Sequence, residues 1–507
     1  MFKNKIIKDT ILLTIMQLAL DSAALLLNVF ITRQLGASAI GIFSLMGSFL
    51  GLAGIISNGN AFLCTSRLIS EELGKNGGNP NRVLLHGIKL CITLSMAVSI
   101  LIFMFSGVIG NRFFSGAAVT GAVRLMPVAL ISGAVASCLK GYFNACRKAS
   151  AAAFGDILEF SVQSGAIVTL TLLTTSHDEA SVCRIMIISI IIGNLSSLIY
   201  MLILFAKKRM HCCQKGTLSF RDYVGFAFPI MGGGILTSVL SSANDALVPV
   251  CLRQYGDSPE QALAMFGIFE AIVIPTLFFP SVALCSLSGM IVTESARASA
   301  AGNCERIRSI ASRLIECTTI YSVFSAAVIM RFGMPIGEML GGGETAGKMI
   351  TVIAPVIPFI YMEIVLEAMI KGMGLQAFSS LNYLAEYVIR ISTLLIIVPH
   401  FGFAGIAVSY YASNIFGNTS RLIKLIKSAD IGFKPVKWII SPIFYAILTM
   451  FTTELLCRLT IGAGEKLWQI IGFTVVWLIL YGGIFSLNFY FNAKTSSKNS
   501  NQAAVCA

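Results

Sequence analysis

The chain is a succession of apolar runs separated by short polar connections. Fourteen runs are long enough to cross a ~30 Å hydrocarbon core. They lie near 10–31, 40–63, 90–111, 119–139, 151–174, 183–206, 223–250, 262–292, 312–332, 348–369, 376–398, 402–422, 437–458 and 467–490. Length and continuous hydrophobicity predict a helix in each, because lipid offers the backbone no hydrogen-bond partner. The expected fold is an all-α integral membrane protein of about fourteen transmembrane helices. A basic segment at 207–222 divides the series into an N-terminal lobe, 1–206, and a C-terminal lobe, 223–422, of six helices each. A final pair of spans, 423–490, is appended, and the polar tail 491–507 is expected to be disordered.

A few polar residues break these runs. Gln17, Asp21 and Asn28 interrupt the first, and at about 100° per residue they share one helix face. Asp21 falls near mid-span, where a carboxylate costs about 2.5–3.5 kcal/mol unless it faces protein or water. The second span carries Asn58. In the seventh, Ser238, Ser241, Ser242 and Asp245 follow i, i+3, i+4, i+7 with Asn244 alongside, and Gly232-Gly233-Gly234 after Pro229 mark a place to bend. Helix packing through small residues explains the glycines and some serines; it explains Asp245 less well. Glu270 precedes Pro275 and Pro280 in the eighth span. Glu363 and Glu367 share a face in the tenth, and Glu386 and Arg390 form an i,i+4 pair in the eleventh. Such a pair either locks helices together or leaves its arginine, whose fork suits phosphate oxygens, to anchor an anionic headgroup.

Part of the pattern recurs. Arg33-Gln34-Leu35-Gly36-Ala37-Ser38 is echoed by Arg253-Gln254-Tyr255-Gly256-Asp257-Ser258, and Ile40-Gly41-Ile42-Phe43 by Phe266-Gly267-Ile268-Phe269. Each copy follows a long apolar helix, as expected of an internally duplicated transporter with a polar pathway between its halves. Ser241 stands where the repeat would place a second Asp21, which leaves Asp21 without a counterpart.

Composition narrows the classes. Of 507 residues 56% are hydrophobic and 12% charged, far below the ~25% charge of soluble domains. The net charge of +13 is loop bias and no nucleic-acid signal: with the N-terminus inside, 27 of the 37 Lys and Arg fall on one side. Both termini are thus expected to be cytoplasmic, with the first run retained as a helix. The 13 cysteines, including adjacent Cys212 and Cys213, show no metal spacing and predict no disulfide scaffold; the four histidines are isolated. Gly342-Gly343-Glu344-Thr345-Ala346-Gly347-Lys348 mimics a P-loop, but Met349 stands where Ser or Thr should hold magnesium and no strand precedes it. No carboxylate pair suits glycosyl transfer. The chain is expected to be no enzyme and to need no cofactor or metal.

Several stretches carry a family resemblance: Ser66-Arg67-Leu68-Ile69-Ser70-Glu71-Glu72, Leu139-Lys140-Gly141-Tyr142-Phe143-Asn144, Phe228-Pro229-Ile230, Met265-Phe266-Gly267, Ile370-Lys371-Gly372-Met373-Gly374 and Glu386-Tyr387-Val388-Ile389-Arg390, with the Arg253 motif. Over nearly its whole length the chain resembles the stage V sporulation protein B branch of the polysaccharide biosynthesis transporters, within the multidrug/oligosaccharidyl-lipid/polysaccharide exporter superfamily. The family's acidic–basic pair in helix five is incomplete, because Glu159 is followed by Gln163, so Glu159 is expected to be an unpaired carboxylate. The resemblance implies two MATE-like lobes around a central cavity, a groove for a lipid tail at helices thirteen and fourteen, and flipping of an undecaprenyl-linked oligosaccharide or peptidoglycan precursor to the outer leaflet of a bacterial plasma membrane, in spore cortex or envelope synthesis.

On this reading Gln17, Asp21, Asn28, Asn58, Ser241, Asn244, Asp245 and Glu270 line the cavity. Arg33, Arg67, Arg253 and Arg390 are pyrophosphate candidates, and Na+, H+ or the membrane potential drives transport. The expected partners are the lipid-linked glycan, the bilayer and cell-wall synthesis proteins. The rivals are a cation-coupled multidrug exporter and a non-transporting scaffold of a cell-wall complex.

Overall fold

A computed structural model describes residues 2–73, 79–110, 120–146, 148–174, 178–208, 218–432, 434–460 and 467–505. The basic connection at 209–217, with Cys212 and Cys213, lies outside them. The described chain is helical throughout. Among the described residues thirteen segments are long and apolar enough to cross a membrane. The fourteenth expected span, 402–422, is the helix Phe403–Ala429; Ser409, Tyr410, Tyr411, Ser413, Asn414 and Asn418 make it more polar than the rest. The chain is a multi-pass membrane protein.

Contact density divides the chain into two compact units. The first holds Met1–Pro275 and Tyr387–Ser409; the second holds Thr276–Glu386 and Tyr410–Ala507. In the first unit, α1 (Phe2–Leu35) and α2 (Ala37–Asn58) join at Gly36, whose φ of 89° suits glycine alone. The second expected span is not one helix. It breaks at Gly59 and Asn60, both left-handed, and resumes as α3 (Ala61–Leu73). Asn58 enforces the break: its Oδ1 accepts from the Ala61 amide at 3.1 Å, so the side chain supplies the N-terminal cap the new helix needs. α4 (Pro80–Met104) opens on Asn79 as cap and Pro80 in its first turn. α5 (Met126–Ala145), α6 (Ala149–Leu173) and α7 (Glu179–Lys208) follow.

α8 (Phe220–Tyr255) starts from a capping box of Ser219 and Asp222 and stays helical through Pro229 and the three glycines expected to bend it. α9 (Pro259–Ile268) runs into a π turn at Phe269–Val273. The two glycines of the sequence echo meet where α2 crosses α9. A Cβ on Gly41 would fall 2.0 Å from the Leu263 carbonyl, and one on Gly267 would fall 2.3 Å from the Gly41 amide. Only glycine permits backbones so close.

The second unit contains α10 (Val282–Ala300), α11 (Cys304–Met339), α12 (Gly343–Ile353) and α13 (Ile357–Gly372). α14 (Gln376–Phe401) and α15 (Phe403–Ala429) contribute to both units, and α16 (Ser441–Thr460) and α17 (Leu467–Val505) end the chain. The irregular turn ahead of α10 is tied down by tyrosines: Tyr361 Oη donates to the Leu277 carbonyl at 2.9 Å and Tyr321 Oη to the Pro280 carbonyl at 2.7 Å. Such partners are what a proline-broken membrane helix requires. The appended pair packs on α11 through Phe324, Phe332, Phe473, Trp477, Tyr481 and Phe485. The buried Trp477 Nε1 is satisfied by Thr449 Oγ1 at 2.9 Å. A Lys-Gly pair makes a similar close contact in each unit. Gly141, after Lys140, lies against Phe62 of α3, and Gly372, after Lys371, against Val292 of α10.

Candidate functional site

Within the first unit a cavity of about 430 Å³ is walled by α1, α2, α7, α8 and the π turn after α9. α2 contributes Ser44 and Ser48, one turn apart, with Gly47 and Gly51 leaving room beside them. α8 contributes Ser238, Ser241, Ser242 and Asp245, the whole i, i+3, i+4, i+7 stripe. Asn28 comes from α1 and Glu270 from the π turn. A single-turn π bulge rotates side chains out of helical register and is common where function needs a particular side chain placed.

Hydrogen bonds fix part of this wall. Ser48 Oγ donates to Asp245 Oδ2 at 2.7 Å, and Asn244 Nδ2 donates to Asp245 Oδ1 at 3.2 Å. Ser242 Oγ donates to the Ser48 carbonyl at 3.1 Å, which clamps α8 to α2. Asn28 Nδ2 donates to the Ala271 carbonyl at 2.9 Å, a residue past Glu270, and so ties α1 to the π turn. Glu270 makes no hydrogen bond or ion pair among the described residues. Arg390, half-buried and 5.2 Å over the Tyr387 ring, lies within electrostatic reach of both Asp245 and Glu270. None of the lining residues is a lysine or arginine.

Along the same pair of helices the walls draw together. Gly59 sits against Met231, Asn60 Nδ2 donates to the Ile230 carbonyl at 3.4 Å, and Thr65 Oγ1 shares a 2.8 Å hydrogen bond with Tyr223 Oη. Beyond this seam Arg67 pairs with Glu71 at 3.2 Å and covers Phe226.

The predicted residues therefore separate. Asn28, Ser241, Asp245 and Glu270 share the cavity wall, and Asn244 backs Asp245. Asp21 is half-buried on α1 and accepts from Gln17 Nε2 at 2.8 Å; neither lines the cavity. Asn58 holds the helix break and donates to Ser137 Oγ at 3.1 Å. Arg33 is exposed, and Arg253 donates Nε to the Pro249 carbonyl. Sequence reasoning passed over Ser44 and Ser48; their i,i+4 spacing beside Gly47 and Gly51, a small polar face inside an apolar span, was the available signal.

One expectation is overturned. Glu159 is no lone carboxylate: Lys140 Nζ reaches Glu159 Oε2 at 2.7 Å and Asp156 Oδ1 at 2.6 Å. A lysine from the neighbouring helix α5 supplies the charge that Gln163 does not. In the second unit, Glu386 Oε2 accepts from Arg421 Nη1 at 3.1 Å. Arg421 also reaches Glu363 at 3.0 Å and Glu367 at 3.2 Å, and Glu367 is further met by Lys371 and by the Ser379 hydroxyl. Arg421 itself was not singled out from the sequence. It follows Asn414 and Asn418 on one face of α15, a polar stripe that marks an interior-facing side.

Residues 6–256 match the family of polysaccharide biosynthesis proteins. The chain is 18% identical to stage V sporulation protein B of Bacillus subtilis (strain 168) over 92% of each. Its fold matches that of the lipid II flippase MurJ in an inward closed conformation, with a TM-score of 0.67 at 15% identity, covering 95% of this chain and 99% of that one. It also matches an inward-facing multidrug resistance MATE family transporter of the MOP superfamily, with a TM-score of 0.58 at 15% identity over 82% and 95%. The resemblance read from the sequence is found, and the fold is that of membrane transporters and flippases.

Proposed function

We propose that this chain flips a lipid-linked glycan precursor between the leaflets of a bacterial cell membrane by alternating access, with both termini in the cytoplasm. The observation that carries the reading is the polar cavity walled by α1, α2, α7 and α8 inside an otherwise apolar helical unit. Carboxylates at membrane depth pair with a cation or face a hydrated cavity, and those that face a cavity mark a substrate or ion pathway. The extent of the structural likeness supports the lipid-linked class: the MurJ match takes in 95% of the chain, the MATE match 82%. A long isoprenoid tail would stay in lipid while the headgroup crosses, with α16 and α17 as the tail's groove. The seam from Asn60 to Tyr223 closes one end of the cavity and would part when access alternates. Asp21, held by Gln17, is the candidate for the coupling cation, Na+ or H+, with the membrane potential as the alternative drive. Arg33, Arg67, Arg253 and Arg390 are candidate pyrophosphate partners, and cell-wall synthesis proteins would supply or consume the glycan.

Leaflet transfer of a labelled undecaprenyl-linked glycan in proteoliposomes tests this directly. Transfer absent from wild-type protein refutes it, and transfer unchanged in Asp21→Ala removes that residue from the mechanism. A cation-coupled drug exporter is the second reading, favoured by Asp245 and Glu270 on a wall without lysine or arginine, which suits an organic cation. Drug efflux abolished by Glu270→Gln, without glycan transfer, would select it.

A further inference from the structure

The break between α2 and α3 deprives the last carbonyls of α2 of the amides that a continuing helix would bring them. Side chains take the place of those amides. Ser95 Oγ of α4 donates to the Ser57 carbonyl at 3.3 Å, and Cys91 Sγ, one turn earlier on the same helix, donates to the Asn58 carbonyl at 3.3 Å. Cys64 Sγ of α3 donates to the Gly59 carbonyl at 3.8 Å. Two of the three donors are thiols, which donate weakly. In one continuous helix the same three carbonyls would accept from the amides of Ala61, Phe62 and Leu63. The two corner residues suit either form. Gly59 and Asn60 have φ of 57° and 53°, a left-handed region that glycine and asparagine enter more readily than other residues, and both also fit a right-handed helix.

We infer that the Gly59–Asn60 corner is a two-state joint, and that α2 and α3 fuse into one straight helix as the Thr65–Tyr223 seam parts. The contacts around the corner fall into two bodies that meet there. α2 is clamped to α8 by Ser48 with Asp245 and Ser242, and it meets α9 at Gly41 and Gly267. α3 is docked on α5 at Gly141, where a Cβ would fall 2.8 Å from the Phe62 carbonyl. Fusion turns the first body against the second and carries Tyr223 of α8 away from Thr65 of α3. The Asn60 hydrogen bond to the Ile230 carbonyl is lost with the left-handed corner that aims it. Side-chain bonds to three carbonyls are exchanged for three helical ones, so the two forms stand close in energy, as a switching element requires. Ser44 and Ser48 ride on α2, so the joint couples the cavity wall to the seam. The inference rests on the alternating-access reading and adds to it the helix that changes shape.

The test measures a distance across the joint in full-length protein in lipid nanodiscs. Nitroxide-bearing amino acids are encoded at Ser38 on α2 and Ser70 on α3, which leaves the native cysteines in place, and their separation is read by double electron–electron resonance. A fused helix sets them about 48 Å apart, roughly 32 residues at about 1.5 Å each; the bent form brings them closer. Wild-type protein is expected to show the shorter distance and a second population near the longer one. Gly59→Ala strains the left-handed corner and suits a helix, and the nearest neighbours of its new methyl are atoms of the flexible Met231 side chain. It is expected to raise the ratio of long to short about tenfold. Phe62→Pro falls in the first turn of α3, where proline is tolerated, but in a fused helix its ring meets the Asn58 carbonyl. It is expected to keep the short distance alone and to lower leaflet transfer of labelled lipid-linked glycan at least tenfold. A single unchanged distance in wild type and Gly59→Ala overturns the joint, as does a long population or wild-type transfer in Phe62→Pro. Two distances that the variants shift as stated, without transfer by wild-type protein, sink the flippase reading alone.

Discussion

The chain has two groups of carboxylates at membrane depth, and they are treated in opposite ways. In the second unit Glu363, Glu367 and Glu386 converge on one guanidinium, that of Arg421, whose side chain is 1% exposed. Lys371 and Ser379 complete the set. All of that cluster's charge is engaged by protein, as a buried ionic network must be to persist. In the first unit Asp245 and Glu270 face a cavity, with Ser48 and Asn244 on one and no hydrogen bond on the other. The first arrangement spends its polarity on holding helices together. The second keeps polarity available, at a cost in stability that a purely structural site would not carry. Residue type does not separate the two groups; the partner supplied by the neighbouring helix does.

The comparison can be broken most sharply at Arg421. Arg421→Ala removes the guanidinium that Glu363, Glu367 and Glu386 share, and a loss of about 3–5 kcal/mol is expected, read as a lowered thermal unfolding midpoint in detergent. A variant as stable as wild type would mean the cluster locks nothing. A packing test comes next: Gly41→Val forces the α2–α9 crossing apart, with about 1–3 kcal/mol lost by the same readout. Lys140→Met in the first unit should cost less, about 1 kcal/mol, since Asp156 and Glu159 are partly exposed and can rehydrate. The smallest stability effect is expected at the cavity. Glu270→Gln should shift stability by under about 0.5 kcal/mol while lowering glycan transfer about tenfold or more, the loss of a charge-assisted hydrogen bond. Equal stability losses at Glu270 and Arg421 would erase the distinction between the two groups.

Much of this was legible beforehand. Hydropathy located the spans, and the stripe on α8 named Ser241 and Asp245 from spacing alone. The echo of Gly41 in Gly267 was visible as text, although only the crossing of α2 and α9 explains why both positions are glycine. Asn58 was noticed as polar but given to the cavity; its work at the Gly59–Asn60 break depends on local dihedrals that hydropathy does not encode. Glu159 was misjudged because a search along its own helix cannot see Lys140 on another.

Sequence by itself determined that this is a helical membrane protein with an internal repeat and a short list of costly polar residues. Those follow from the price of the backbone and of charge in lipid, which is paid residue by residue. Tertiary structure alone decided which of those residues are spent and which are free. Glu386 is held by Arg421 from α15, and Glu270 is turned by a π bulge onto a cavity wall. Partnership across helices depends on rotation and depth, and neither is written in the order of residues along any one of them.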